Sequence, residues 1–184
     1  MWRYRLDNRT HSLTGYNLFI TGIAEDTEKK YVVAVSEKQQ IKHKFHIGDI
    51  IKGTAWTKKY PAWEYADYYR AGNLKIIGAA VPSDEKTSPW TGEVPELSVY
   101  DRRGCRMLDK RRWGTKCITC KWAAMANVAI EYNWGISQKF RFESFCYGPK
   151  NCPNYSMGKA RPVPYYQDGN SYDDGWLDEI CTEG

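Results

Sequence analysis

The chain has 184 residues and a formal net charge of +5, with 27% charged and 42% hydrophobic residues. This composition is typical of a globular protein, and it excludes a collagen, a fibrous coiled coil and a chain that is disordered throughout. No apolar run approaches the roughly 18 residues of a spanning helix, and residues 1–5 contain no apolar stretch typical of a signal peptide. We therefore expect a cytoplasmic protein with no membrane partner.

Aromatic content and charge distribution are unusual. The chain contains 8 Trp, 14 Tyr and 5 Phe, and residues 168–184 hold six acidic side chains but no Lys or Arg. Without this segment, which we call the acidic tail, the remaining chain carries a net charge of +11. A basic, aromatic-rich body indicates a polyanionic partner, for which nucleic acid is the main candidate. The acidic tail could fold over the basic residues and compete with that partner.

The first hundred residues predict a series of short strands. Apolar, β-branched runs occupy residues 18–24, 31–35, 50–56 and 74–79. Apolar and polar residues alternate over 41–47, which predicts a half-buried strand there. Gly48 and Asp49 predict a turn, and Gly53 predicts a bulge. Short strands at such close spacing are typical of a small barrel or sandwich.

One helix is predicted between the strands, over residues 61–70. Pro61 suits the first position of a helix and Gly72 the residue after its end, while Trp63, Ala66 and Tyr69 recur at helical spacing. Strands, one helix and a final strand follow the order of an OB-fold, a five-stranded Greek-key barrel. The predicted fold class is therefore mainly β, with an OB-like barrel.

A sequence resemblance supports this prediction. The run Phe45-His46-Ile47-Gly48-Asp49-Ile50-Ile51-Lys52-Gly53 resembles the F-x-x-G-D-x-I-x-G stretch of OB-fold and S1-type nucleic-acid-binding domains. The resemblance covers roughly residues 15–80 and implies a binding face on the strands that hold Lys42, Lys44, Lys52 and Trp56. Bases stack on exposed aromatic rings and lysines meet phosphates, so we add Lys58, Lys59 and Tyr60 to the predicted contacts.

The composition changes after this region. We expect the barrel to occupy residues 1–81, a Pro-containing linker residues 82–100, and a basic, zinc-ribbon-like segment residues 101–167, followed by the acidic tail. The basic segment predicts phosphate contacts, although a solvated surface segment is the alternative. Its predicted contact residues are Arg102, Arg103, Arg106, Lys110, Arg111, Arg112 and Lys116.

The cysteines carry the most specific pattern in the chain. Cys117 and Cys120 form a C-x-x-C motif, and Cys146 and Cys152 flank a bend at Gly148. Strands over residues 124–132 and 137–145, joined by a turn at 133–135, would bring Cys120 back beside Cys146. This arrangement resembles a zinc ribbon, in which two cysteine pairs meet at the open end of a hairpin. It implies a closed, structural Zn²⁺ site with four thiolate ligands.

Other interpretations of the cysteines stay open. They include a redox C-x-x-C motif, four unrelated cysteines, and Cys105 replacing Cys152 as a ligand. The chain contains no phosphate-binding, dinucleotide-binding, zinc-protease or serine-hydrolase motif, so we expect no enzymatic activity. A nuclease with scattered carboxylate ligands is the enzymatic alternative.

The predicted function is non-catalytic binding of single-stranded or structured RNA or DNA. One alternative is a protein-docking subunit of a larger nucleoprotein assembly. A second is a small-ligand module resembling the acyl-coenzyme A partners of thiolases. In that family the ribbon precedes the barrel, whereas here it follows.

Overall fold

The computed structural model describes residues 2–3, 11–61, 64–81, 86–133 and 137–158. The contacts divide these residues into two compact units. We call the described residues within 14–82 the sheet unit and all the others the cysteine unit. In the part of the chain that is described, no helix is long and apolar enough to cross a membrane.

The secondary structure consists mainly of strands. The strands are β1 (Trp2–Arg3), β2 (His11–Ser12), β3 (Tyr16–Ala24), β4 (Thr27–Val35), β5 (Ile50–Thr57), β6 (Tyr68–Gly78), β7 (Arg106–Met107), β8 (Ala123–Asn133) and β9 (Ser137–Cys146). The helices are α1 (Glu37–His43), α2 (Leu97–Arg103) and α3 (Lys110–Arg112), and α3 continues into a π-helical turn over Trp113–Cys117. The prediction of a mainly β protein is confirmed.

The sheet unit contains four strands in the order β3-β4-β6-β5. The pairs β3–β4 and β5–β6 are antiparallel, whereas β4 and β6 are parallel and meet at Val33 and Tyr68. Val33, Val35, Tyr68 and Ala71 form the buried core of this sheet. Within the described residues the sheet is open, with β3 and β5 at its edges, so the predicted closed barrel is not observed there.

The predicted strand at residues 41–47 is wrong, because the chain forms helix α1 there. A capping box starts this helix: Gln39 N–H donates to Ser36 Oγ at 3.3 Å, and Ser36 N–H donates to Gln39 Oε1 at 2.8 Å. Gln40 is buried, and its side chain donates to the carbonyl of Phe45 at 3.2 Å. The local cap therefore outweighs the alternating pattern, and Ile41 remains exposed.

The predicted helix at residues 61–70 is also wrong where the chain is described. Residues 64–67 are not helical and β6 begins at Tyr68, six residues before the predicted strand. The cause is tertiary, because Asp67 N–H donates to Val32 O at 2.8 Å and Asp67 Oδ2 accepts from Val32 N–H at 3.0 Å. These bonds hold the chain against β4 in an extended conformation. Trp63 lies outside the described residues.

The four remaining strands predicted for this unit, its turn and its bulge are confirmed. The runs at 18–24, 31–35, 50–56 and 74–79 lie in β3, β4, β5 and β6. Asp49 stabilises the predicted turn, because its side chain accepts from His46 N–H and Ala80 N–H, both at 2.8 Å. The strand register shifts between Lys52 and Thr54, on either side of Gly53, as expected for a bulge.

The cysteine unit contains a five-stranded sheet in the order β2-β1-β8-β9-β7. The antiparallel hairpin of β8 and β9 confirms the predicted strands, while the tip at 134–136 lies outside the described residues. Residues 11–13, which we expected in the barrel, belong to this unit. The described part of the predicted linker also belongs to it: Tyr100 is buried and donates its hydroxyl to Lys121 O at 2.6 Å. The acidic tail, with its predicted competition, lies outside the described residues.

Candidate metal centre

The first cysteine pair lies on a tight turn between the π-helical turn and β8. Cys117 ends the π-helical turn, and Cys120 N–H donates to Cys117 O at 2.9 Å. Ala123 N–H in turn donates to Cys120 O at 3.0 Å, where β8 begins. These two hydrogen bonds place both thiols at the start of the hairpin.

The second pair reaches the same end of the hairpin through β9. Cys146 is the last residue of β9 and pairs with Ala123. Cys152 N–H donates to Pro149 O at 3.2 Å, which closes a second turn after Cys146. The Cys152 thiol lies 3.3 Å from the Ser88 hydroxyl, so this loop also contacts the segment before α2.

Cys117, Cys120, Cys146 and Cys152 are free thiols, and we call them the cysteine cluster. The first three are buried together with Leu108 and Trp113, and Trp90 and Trp122 pack against them. Cys152 is half-buried. Cys105 is buried but is not a member of this packed group. The apolar surroundings exclude water from the sulfur atoms of the first three.

Burial and neighbouring charge raise the pKa values of three thiols of the cysteine cluster. Burial, and to a smaller extent charge on Cys120, Cys146 and Cys152, raise the pKa of the Cys117 thiol to about 12. Burial also raises the pKa values of Cys120 and Cys146. The role of these four cysteines as metal ligands, and the choice between Cys152 and Cys105, stay predictions.

Backbone N–H groups point at two of these sulfurs. Gly148 N–H donates to Cys146 Sγ at 3.3 Å. Hydrogen bonds from the backbones of Trp122 and Trp90 lower the pKa of Cys120 and oppose the effect of burial. Such donors stabilise a thiolate more than a neutral thiol. The local backbone is thus suited to sulfur ligands that carry negative charge.

Zinc itself remains a prediction. Among the described residues, no three His, Cys, Asp or Glu side chains form a group that could hold a metal ion as they stand. The donor chemistry nevertheless fits Zn²⁺, because four cysteine sulfurs on two turns are the ligand set of a closed structural site. Such a set leaves no open position for a substrate, so a metal bound there would be structural.

The basic residues next to the cluster are mostly exposed. Asp109 caps α3 by accepting from Arg111 N–H at 2.9 Å and Arg112 N–H at 3.2 Å. The exposed basic residues of α3 and the π-helical turn, which we call the basic turn, are Lys110, Arg111, Arg112 and Lys116. Arg102 is exposed on α2. The structure therefore leaves these five predicted contact residues accessible to a ligand.

Two predicted contact residues are engaged within the protein instead. Arg106 is only 4% exposed and donates to carbonyl groups of the loop after Cys146. Arg103 is half-buried, with Nε donating to Tyr147 O at 2.6 Å and its guanidinium 4.6 Å from the centre of the Trp122 ring. Arg106 is therefore withdrawn as a nucleic-acid contact, because a buried side chain cannot reach a phosphate.

The predicted contacts of the sheet unit lie on several elements. Trp56 is 72% exposed, and Tyr60 is also exposed. The exposed lysines of the prediction are Lys42, Lys44, Lys52 and Lys59. Lys58 is half-buried and forms an ion pair with Asp67 at 3.1 Å, so its charge is partly neutralised.

Sequence reasoning missed residues whose roles depend on pairing between distant segments. Lys75 lies directly opposite Lys52 across β5 and β6, and both are exposed. Two like charges at this position are unfavourable unless an anion lies between them. Ser88 and Trp90 belong to the surroundings of the cysteine cluster, although their segment resembles a linker. The aromatic Trp90 in a Pro-rich stretch was the available signal.

No family model matches the chain, and no curated protein or solved structure matches it.

Proposed function

We propose that this protein is a non-catalytic nucleic-acid-binding protein whose cysteine cluster binds one structural Zn²⁺ ion. The metal would order the basic turn, and the basic turn would contact phosphates. The sheet unit would bind single-stranded bases, which would stack on its exposed aromatic side chains.

The observation that carries this proposal is the continuity between the basic turn and the cysteine cluster. Residues 110–116 lead directly into Cys117, and Trp113 between them is buried against the cysteines. A metal bound to the cluster would therefore restrain the backbone that presents the charges. Since fewer conformations are lost on binding, a restrained basic surface binds a polyanion more tightly than a mobile one.

The sheet unit supports binding of a single strand. Its chain order of two strands, helix α1 and two further strands differs from the predicted order of strands, one helix and a final strand, so the proposal for this unit depends on its exposed side chains. Trp56 on β5 offers a stacking surface, and the opposed Lys52 and Lys75 offer charge for the backbone. Stacking on such a ring contributes about 1–3 kcal/mol per base.

A protein-docking role is the second candidate, and one observation favours it. Several large apolar side chains of the sheet unit are exposed, including Ile23 at 75%, Ile77 at 63% and Val81 at 91%. Exposed apolar side chains are typical of surfaces that bind other proteins, although they also suit stacked bases. Dependence on salt separates the two, because phosphate contacts weaken steeply as salt rises.

The test combines a zinc assay with a binding assay on the same preparation of the full chain. Binding of fluorescent single-stranded RNA and DNA, with duplexes for comparison, would be measured at about 50 mM and about 200 mM salt. We expect one zinc per chain and, for about four phosphate contacts, an affinity for single strands that falls about 50-fold. One zinc without nucleic-acid binding would favour the docking role, and absence of zinc would overturn the metal centre.

A further inference from the structure

Arg106 occupies an unusual position beside the cysteine cluster. Its Nη2 donates to Gly148 O at 3.2 Å and to Pro149 O at 2.9 Å, and its Nη1 donates to Lys150 O at 3.4 Å. The same Nη2 lies 3.8 Å from Cys146 Sγ. On its other side the guanidinium lies 3.8 Å from the centre of the Tyr155 ring. One buried side chain thus contacts three consecutive carbonyls of the loop between Cys146 and Cys152.

The charge of Arg106 requires compensation, since the side chain is almost completely buried. The ion pairs among the described residues are Lys29–Glu25 and Lys58–Asp67, and neither includes Arg106. Carbonyl groups solvate a guanidinium but do not neutralise it, and a buried charge without a counter-charge is unfavourable. Among the described groups within hydrogen-bonding reach of the guanidinium, the Cys146 sulfur is the one that can carry negative charge.

We propose that Arg106 is a positioning and charge-compensating residue of the metal centre. This role depends on the zinc site of the proposed function. Four thiolates around Zn²⁺ carry a net charge of about −2, which a buried cation would partly balance. The planar guanidinium would also hold the loop so that Cys146 and Cys152 face the same metal. The site is therefore matched to four thiolates rather than to a neutral ligand set.

Three substitutions separate these contributions. Arg106→Met keeps an unbranched side chain but removes the charge and the donors, whereas Arg106→Lys keeps the charge and loses the planar fork. Arg103→Met is the matched control. Arg103 also binds the backbone near Cys146, through Tyr147 O, and contacts an aromatic ring, but none of its described contacts is to a cysteine sulfur.

The experiment measures zinc affinity of the full chain by competition with a chromophoric chelator, and the absorption spectrum of the Co²⁺-substituted protein. We expect Arg106→Met to weaken zinc binding about 10- to 100-fold, as partners of metal ligands do. Its sulfur-to-cobalt charge-transfer band should shift, because the Cys146 thiolate loses a neighbouring cation. Arg106→Lys should recover most of the affinity, and Arg103→Met should bind zinc as the unmodified protein does.

The outcomes are distinguishable. If the unmodified chain binds no zinc, the metal centre itself fails before any variant is compared. If the unmodified chain binds zinc and Arg106→Met matches it in affinity and spectrum, the role of Arg106 is overturned. If Arg106→Lys weakens zinc binding as much as Arg106→Met does, charge compensation by Arg106 is overturned. Should Arg106→Met fail to fold, Arg106→Gln takes its place, since it removes the charge but keeps a hydrogen-bond donor, and zinc affinity and a spectrum like those of the unmodified chain overturn the proposal.

Discussion

Ala123 lies directly opposite Cys146 in the β8–β9 ladder, and its N–H also donates to Cys120 O at 3.0 Å. One residue therefore links the turn of the first cysteine pair to the strand that delivers the second pair. Cys120 and Cys146 are distant in sequence, and only the paired hairpin brings them together. Formation of the hairpin and formation of the cysteine cluster are thus coupled, and binding of a metal by the cluster would stabilise both.

The first prediction concerns the identity of the zinc ligands. Substituting Cys120→Ser, Cys146→Ser or Cys152→Ser should reduce bound zinc from one per chain to a small fraction, because a closed site needs all four sulfurs. Cys105→Ser is the comparison, because Cys105 is the alternative fourth ligand that the spacing left open. Atomic absorption on the purified proteins measures the number of zinc ions per chain. Zinc loss in Cys105→Ser with retention in Cys152→Ser would reverse our assignment of the fourth ligand.

The second prediction is that zinc binding releases protons. Burial raises the pKa of Cys117 to about 12 and also raises the pKa values of Cys120 and Cys146, so these thiols are neutral in the metal-free protein at pH 7. The ligand is the thiolate, so zinc must displace protons, and its apparent affinity must fall as the pH falls.

Calorimetry in two buffers with different ionisation enthalpies measures this release. We expect about three protons per zinc at pH 7 from Cys117, Cys120 and Cys146. Measured release close to zero would show that the thiols are already ionised without metal. It would contradict the effect of burial that the structure indicates.

The third prediction tests the basic turn. The double substitution Arg111→Glu and Arg112→Glu should weaken single-strand binding at least 10-fold and reduce its salt dependence by about 1 to 2 released ions. Lys30→Glu is the control, because Lys30 is exposed in β4 of the sheet unit, outside every predicted contact. Fluorescence anisotropy over a salt series gives both quantities. If the loss of nucleic-acid affinity per charge changed is the same for the double variant and for Lys30→Glu, only the net charge of the protein matters.

The fourth prediction concerns Gly15, just before β3. Its φ is +152°, and a Cβ there would overlap the carbonyl oxygen of Val35, a buried residue of β4. Gly15→Ala should therefore lower the free energy of unfolding by at least about 2 kcal/mol. Gly22→Ala is the matched control in the same unit, because its Cβ would meet side-chain atoms at ordinary distances of 3.7 Å and 3.8 Å. Urea denaturation compares the two, and similar stabilities would show that the backbone near Gly15 adjusts easily.

Helix α1 and Arg106 show two reasons why sequence patterns mislead. Ser36 and Gln39 have the spacing of a capping box, yet the alternation over residues 41–47 favoured a strand. A local hydrogen-bonded cap decided the outcome there. The sequence pattern assigns Arg106 to the basic segment although apolar residues flank it, Cys105 before it and Met107 after it, and its burial results from the loop after Cys146.

The sequence by itself determined the strands, the hairpin and the cysteine spacing. These features depend on residues that are close in the chain: β-branched apolar runs, turn residues, and thiols separated by two or a few positions. Tertiary structure alone decided the parallel pairing of β4 with β6, the exposure of the basic turn and the burial of Arg106. Burial and long-range pairing are collective properties, because each depends on which distant segments exclude water together.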